Sequence, residues 1–165
     1  MATEIIKILY ATDLSPNSDF AFRYAVDIAK KYDSKIIILH VQEELPHITQ
    51  ALLGFYELEE YEKIVDKGFK ERTGGIKDTI KAFCKTEIKD EPECFNLVSS
   101  IEISEGYPAE VILKKADELA CDIIVMGSHG KGLLEYTFLG SITQKVLRRS
   151  KKPVFVIPLP TTENS

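Results

Sequence analysis

Two runs, Ile36-Ile37-Ile38-Leu39 and Ile123-Ile124-Val125-Met126, are apolar at every position. A strand with one wet face alternates apolar and polar residues, whereas a strand covered on both faces of a parallel sheet has no reason to. Both runs are strand-length, far short of the roughly 20 residues a membrane helix needs. They belong to a set of five β-rich segments, at residues 5–10, 35–41, 96–103, 122–126 and 153–157. Segments with helical spacing lie between them. That alternation predicts an α/β fold: an open five-stranded parallel sheet with right-handed crossovers and helices on both faces. The 165 residues suit one domain. It is expected over residues 1–160, with 161–165 as a polar, flexible C-terminal tail.

Local punctuation supports the helices. Ser15 is a natural N-cap, Pro16 suits the first helical position, and Asp19 adds negative charge to the first turn. Phe20, Tyr24 and Ile28, with Ala21 and Ala25 offset from them, predict the stripe that faces the sheet. A later helix opens at Pro108, with Val111, Ile112 and Leu119 inward. Another runs from Ser141 to about Arg149 and ends in Arg148-Arg149-Ser150-Lys151-Lys152. Those cations complement a helix C-terminus, the reading preferred over a docking patch. Between residues 42 and 92 two helical stretches flank Gly74-Gly75. One long helix carrying both glycines, at a cost of about 1 kcal/mol each, is preferred over a break.

Composition narrows the function. With 21 Lys+Arg against 26 Asp+Glu, the net charge is −5. That disfavours a non-specific nucleic-acid binder, which needs a basic face to displace counterions. The N-terminal residues have no basic stretch or cleavage site of a signal peptide and read as a strand. Cys84, Cys94 and Cys121 are odd in number and lack a C-x-x-C pair, so the expectation is a reduced, cytoplasmic setting without a zinc site. No membrane association is expected.

In an open parallel sheet, ligands gather outside the carboxyl ends of the strands. After Met126 the chain reads Gly127-Ser128-His129-Gly130-Lys131-Gly132, followed by Gly140-Ser141 at a helix start. Glycines there let backbone approach a ligand, and free N–H groups at a helix N-terminus attract anions. The competing reading is a surface turn with a helix cap. Neither a P-loop nor a dinucleotide fingerprint is present. Asp13, at the end of the first strand, is placed to accept from ribose hydroxyls or to hold a turn. The second strand ends His40-Val41-Gln42, where Val41 main-chain groups can read an adenine edge. His129 is read as a bystander, Lys131 as a solvated or phosphate-neutralising lysine, and His40 and His47 as unremarkable. Tyr107 is read as packing.

Together these segments resemble the universal stress proteins. The likeness spans nearly the whole chain. It includes Ile8-Leu9-Tyr10-Ala11-Thr12-Asp13-Leu14-Ser15, His40-Val41, Glu105-Gly106-Tyr107-Pro108-Ala109-Glu110, Ile124-Val125-Met126-Gly127-Ser128-His129-Gly130, Gly140-Ser141 and Lys152-Pro153-Val154-Phe155-Val156-Ile157-Pro158. Gly127-x2-Gly130-x9-Gly140-Ser141 satisfies the pattern of that family's ATP-binding branch. Ala11 departs from the proline of many members. The resemblance implies a Rossmann-like sheet of order 3-2-1-4-5 and an ATP cleft between the first and fourth strands. Asp13 and Gly127 would then lie near the nucleoside and Val41 at adenine. Gly130, Gly140 and Ser141 would meet the phosphates, with Thr12, Met126, Ser128, Ile142 and Thr143 as neighbours. ATP is expected to bring Mg²⁺, or Mn²⁺, held mainly by its own phosphates.

The resemblance also implies a homodimer through the apolar edge between Pro153 and Pro158. The leading expectation is a nucleotide-dependent regulatory or stress-response module acting on unidentified protein partners. The alternative is a slow ATPase or an autophosphorylating phosphotransferase. For that reading the chain offers the hydroxyls of Ser128, Ser141 and Thr143 but no evident base.

Overall fold

The two all-apolar runs lie on either side of the central strand. The computed structural model describes residues 3–15, 18–43, 96–130 and 139–160, together with 67, 70, 71, 74, 75, 77, 78, 81, 82 and 85. The elements bounded within them are β1 (Lys7–Thr12), α1 (Ser18–Tyr32), β2 (Lys35–Gln42), β3 (Val98–Glu105), α2 (Pro108–Glu118), β4 (Ile123–Gly127), α3 (Ser141–Arg149) and β5 (Val154–Ile157). The five strands form one sheet, ordered β3-β2-β1-β4-β5, in which every pairing is parallel. This is the expected architecture and strand order.

Alternate side chains of the inner strands enter two cores. Ile8, Tyr10, Ile36, Ile38, Ile123 and Val125 pack against α1 through Ala21, Phe22, Ala25, Val26 and Ala29. Leu9, Ala11, Ile37, Leu39, Ile124 and Met126 face α2 and α3 through Ala109, Ile112, Ala116 and Val146. Each fully buried Ile or Leu contributes about 1.5–3 kcal/mol, which is why the inner strands carry no polar residue at these positions.

The buried stripe of α1 differs from the expected one. Tyr24 is exposed, while Phe20 and Ile28 are only half-buried. Phe20 and Tyr24 instead make an edge-on pair with ring centroids 5.5 Å apart. Three of the five buried positions are alanines, whose small side chains let the helix axis approach the sheet closely. On α2, Ile112 is buried as expected, but Val111 and Leu119 are half-buried, and Ala109 and Ala116 complete the inner face.

β1 begins at Lys7, not residue 5, because the chain before it is held by side chains and not by the full ladder. The Asp122 carboxylate accepts from the N–H groups of Ile6 and Lys7, each at 2.8 Å. Asn96 and Leu97 form a helical turn ahead of β3, with the Asn96 carbonyl accepting from Lys35 Nζ at 2.7 Å. Both helices that feed inner strands end in the same way. Asp33 and Ala120 take left-handed φ of 55° and 51°, and the N–H of Ser34 and Cys121 reach back to Ala29 and Ala116 carbonyls at 2.9 Å. These are Schellman turns built without glycine.

The basic cluster is partly spent on packing. Lys152 Nζ donates to the Cys121 carbonyl and lies 3.9 Å from Asp117, and Arg149 is 3.7 Å from Glu110. Gly74 and Gly75 are both helical, as are the described residues around them, with Lys67 and Glu71 paired one turn apart at 4.0 Å. Pro16, His47, Cys84, Cys94, Lys131, Gly132 and the 161–165 tail lie outside the described residues.

Candidate functional site

β1 sends the chain through α1 to β2 on one side of the sheet. β4 arrives on β1's other side through α2, packed on the opposite face. The carboxyl ends of β1 and β4 therefore border a crevice at the point where the strand order reverses. A cavity of about 820 Å³ opens there. Its walls come from the ends of β1, β2 and β4, the starts of α1, α2 and α3, and Leu159 beyond β5. That volume falls within the range of small-molecule sites.

The sequence-derived residues converge on this cavity from four separate stretches of chain. Thr12, Asp13, Val41, Met126, Gly127, Gly130, Gly140, Ser141, Ile142 and Thr143 all line it. Ser128 does not. It is buried, and its hydroxyl accepts from the Leu159 N–H and meets His129 Nδ1, both at 3.1 Å. Its carbonyl accepts from the Gly140 N–H at 2.8 Å, which pins the start of α3 to the end of β4. Thr143 is also buried and donates its hydroxyl to the Gly127 carbonyl at 3.0 Å. Of the three hydroxyls considered for modification, only that of Ser141 is on an exposed residue.

Each glycine has its own structural reason. A Cβ on Gly130 would collide with Asp13, falling 3.1 Å from its Cγ and nearer still to Oδ2. A Cβ on Gly127 would lie 2.7 Å from Leu159 Cδ1, so this glycine makes room for the wall residue. A Cβ on Gly140 would lie 3.2 Å from the Cα of His129. Gly140 has φ −67° and ψ 157°, a conformation open to any residue, so close approach and not backbone freedom accounts for it.

Asp13 holds a turn as well as facing Gly130. Its Oδ1 accepts from the Ser15 N–H at 3.0 Å, and Thr12 Oγ1 accepts from the Leu14 N–H at 3.1 Å. Between them Leu14 takes φ 60°, a left-handed conformation that costs a residue of this size about 1–3 kcal/mol. The turn ends β1 at Thr12, one residue short of a partner for Val41. Main-chain groups alternate in direction along a strand, and the Gln42 carbonyl points to β3, where it accepts from Gly106 at 2.9 Å. Val41 therefore turns its own N–H and C=O toward the gap that β1 leaves.

The start of α3 adds positive potential. Its first turn contains no acid, and Gly140 caps it without a side chain. First-turn N–H groups have no acceptor within a helix, so those of Ser141, Ile142 and Thr143 form a partial positive charge at the cavity. Among the described residues, no group of three or more His, Cys, Asp or Glu is placed to hold a metal ion.

Sequence reasoning undervalued some wall residues. His40 lines the cavity and bridges β2 to β1 through its Nδ1, 2.9 Å from the Thr12 carbonyl. His129 lines it too, as do Gln42, Ser15 and Ser18. For His40 and Gln42 the available signal was their position flanking Val41 at a strand end. Leu159 gave none, because its place depends on the path taken after β5.

A profile of the universal stress protein family matches residues 5–158. Universal stress protein MJ0577 of Methanocaldococcus jannaschii is 34% identical over 158 residues, covering 92% of this chain and 93% of its own. The solved structure of MJ0577 superposes with a TM-score of 0.73 at 30% identity, covering 97% of this chain and all of that one. A universal stress protein from Archaeoglobus fulgidus, solved in complex with dAMP, shares the fold at 18% identity with a TM-score of 0.54, covering 96% of this chain and all of that one.

Proposed function

Because the chain belongs to the universal stress protein family, we propose that it binds ATP in this cavity and serves as a nucleotide-dependent regulatory or stress-response module. The observation that carries the reading is the convergence of Asp13, Val41 and the Gly130/Gly140-Ser141 pair on one cavity, from stretches of chain far apart in sequence. That a protein of this fold holds dAMP is consistent with an adenine nucleotide. The assignment to ATP rests on the likeness of this chain's glycine spacing to the pattern of the family's ATP-binding branch.

In this reading each group has a task. Val41 main-chain groups take the adenine edge, which offers an acceptor beside an amine donor. Asp13 accepts from ribose hydroxyls while its other oxygen keeps the turn. The phosphates sit where the α3 amides converge, and the absence of a first-turn acid leaves that charge unopposed. Thr12, Met126, Gly127, Ile142 and Thr143 shape the walls, and Ser128 acts from behind them. Mg²⁺ or Mn²⁺ would enter with the nucleotide, held mainly by its phosphates. At 100 times its dissociation constant, ATP adds about 2.7 kcal/mol of stability to the folded state.

The functional unit proposed is a homodimer through β5. This strand lies at the sheet edge and exposes Phe155, the kind of edge that pairs with another strand. Exposure at Ser141 confines the rival phosphotransferase reading to that one hydroxyl among the three.

Mass spectrometry of gently purified protein, followed by incubation with ATP and Mg²⁺, tests the assignment. Intact ATP retained for hours supports a binding module. Accumulating ADP, or a phosphate on Ser141, moves the enzymatic reading to first place. Failure to take up ATP overturns the site. Gly140→Val should abolish uptake, because its side chain drives the His129 loop away from the start of α3.

A further inference from the structure

The turn that carries Asp13 is held from two sides. Within it, Thr12 Oγ1 accepts from the Leu14 N–H at 3.1 Å, and Asp13 Oδ1 accepts from the Ser15 N–H at 3.0 Å. Both bonds are local to the turn. A third comes from the neighbouring strand, where His40 Nδ1 lies 2.9 Å from the Thr12 carbonyl. A carbonyl only accepts, so Nδ1 carries the proton and donates it. That carbonyl belongs to the planar peptide that joins Thr12 to Asp13 at the end of β1. Fixing the plane fixes the direction in which Asp13 leaves the sheet. The bond has strain to hold against, since Leu14 takes φ 60° and such backbone persists only where its surroundings over-determine it. It also holds a group with little slack: the Asp13 carboxylate stands where a Cβ on Gly130 would fall.

We propose that His40 is a positioning residue for sugar recognition: by holding the Thr12–Asp13 peptide, it aims the Asp13 carboxylate at the ribose hydroxyls of the bound nucleotide. The inference rests on the nucleotide reading above and deepens it. His40 lines the cavity, so the rival is a direct contact with the ligand. A direct contact would work through Nε2 and positioning works through Nδ1, which makes the two separable by substitution.

Asparagine places an amide nitrogen close to the position of Nδ1 and nothing at Nε2, whereas leucine offers neither. ATP and dideoxy-ATP, which lacks both ribose hydroxyls, are titrated against the wild type, His40→Asn and His40→Leu. The wild type should prefer ATP by about 10-fold or more, the value of hydrogen bonds to a charged acceptor. In His40→Leu that preference should shrink by about 3-fold or more, while dideoxy-ATP stays within about twofold of its wild-type affinity. His40→Asn should keep both affinities within about twofold of the wild type.

An unchanged preference in His40→Leu, or equal weakening of both ligands, overturns the proposal. So does a His40→Asn variant as impaired as His40→Leu, which would move the contact to Nε2. If thermal melts show His40→Leu unfolded, His40→Gln takes its place, because its amide reaches the position of Nε2 and not of Nδ1. A wild type that binds both nucleotides equally removes Asp13 from the sugar and overturns the proposal with it. A wild type that binds neither defeats the nucleotide reading itself, a failure distinct from one confined to His40.

Discussion

The two ends of the sheet are built on opposite principles. At the amino ends of the strands the polar groups are matched within the fold. Asp122 takes the N–H groups of Ile6 and Lys7, Lys7 Nζ donates to the Leu119 carbonyl at 3.1 Å, and buried Ser34 donates its hydroxyl to Ile5. Two-residue Schellman turns close the chain into β2 and β4. At the carboxyl ends the chain keeps a left-handed leucine, a glutamine oxygen unpaired among the described residues, a helix start without an acid, and a cavity of about 820 Å³. Among the described residues, the first end meets its polar groups within the fold, whereas the second leaves open groups that the proposed ligand would meet.

Substitutions at the two ends should separate accordingly. The largest effect is expected from Gly130→Val, which evicts the Asp13 carboxylate from its place. ATP affinity should fall roughly 10- to 100-fold, the range for losing hydrogen bonds to a charged group. Calorimetric titration reads this directly, and unchanged affinity would remove Asp13 from the site. Asp122→Ala should do the reverse. Stability drops by about 1–2 kcal/mol and the melting temperature by roughly 2–8 °C, with ATP affinity unchanged. An affinity loss there would mean that the closed end is coupled to the open one.

The smallest effect concerns Cys121, buried at the closed end. Burial raises its pKa above the ordinary thiol value of 9.0, against the opposing pull of Lys152 and Lys7. Well below 9.0 the thiol is protonated in both folded and unfolded chains and contributes no pH dependence. Above it the unfolded chain loses the proton first, so stability declines with rising pH until the folded thiol also ionises. Denaturant titrations from pH 8 to 10 should show this slope in the wild type and not in Cys121→Ser. Equal slopes would place the titration elsewhere.

Much of this contrast was legible in the sequence, and the parts that were not share a cause. Inner strands announced themselves because both faces are covered, and the glycine spacing marked the open end. The stripe on α1 was read correctly at Ala21 and Ala25 but centred too far toward Phe20, Tyr24 and Ile28, while Phe22, Val26 and Ala29 complete the close-packed face. Ser128 and Thr143 were grouped with ligand-facing residues, yet their hydroxyls tie β4 to Leu159 and to α3. His40 and Gln42 gained their places from register: Thr12 opposite His40, and Glu105 opposite Gln42. Their position beside Val41 hinted at this, but register between strands far apart in sequence is a property of the assembled sheet.

Leu159 carries a consequence for the newborn chain. Its N–H meets Ser128 across 31 residues of sequence, and the central pairing of β1 with β4 is guarded by a contact spanning 115. A polypeptide emerging from the ribosome can complete the second once β4 is free, but the first only after β5 and Leu159 have followed. Even with β1 to β4 assembled, the cavity would lack the wall that fills the space at Gly127. Under the nucleotide reading, the ligand would therefore reward only a chain in which β5 and Leu159 are in place.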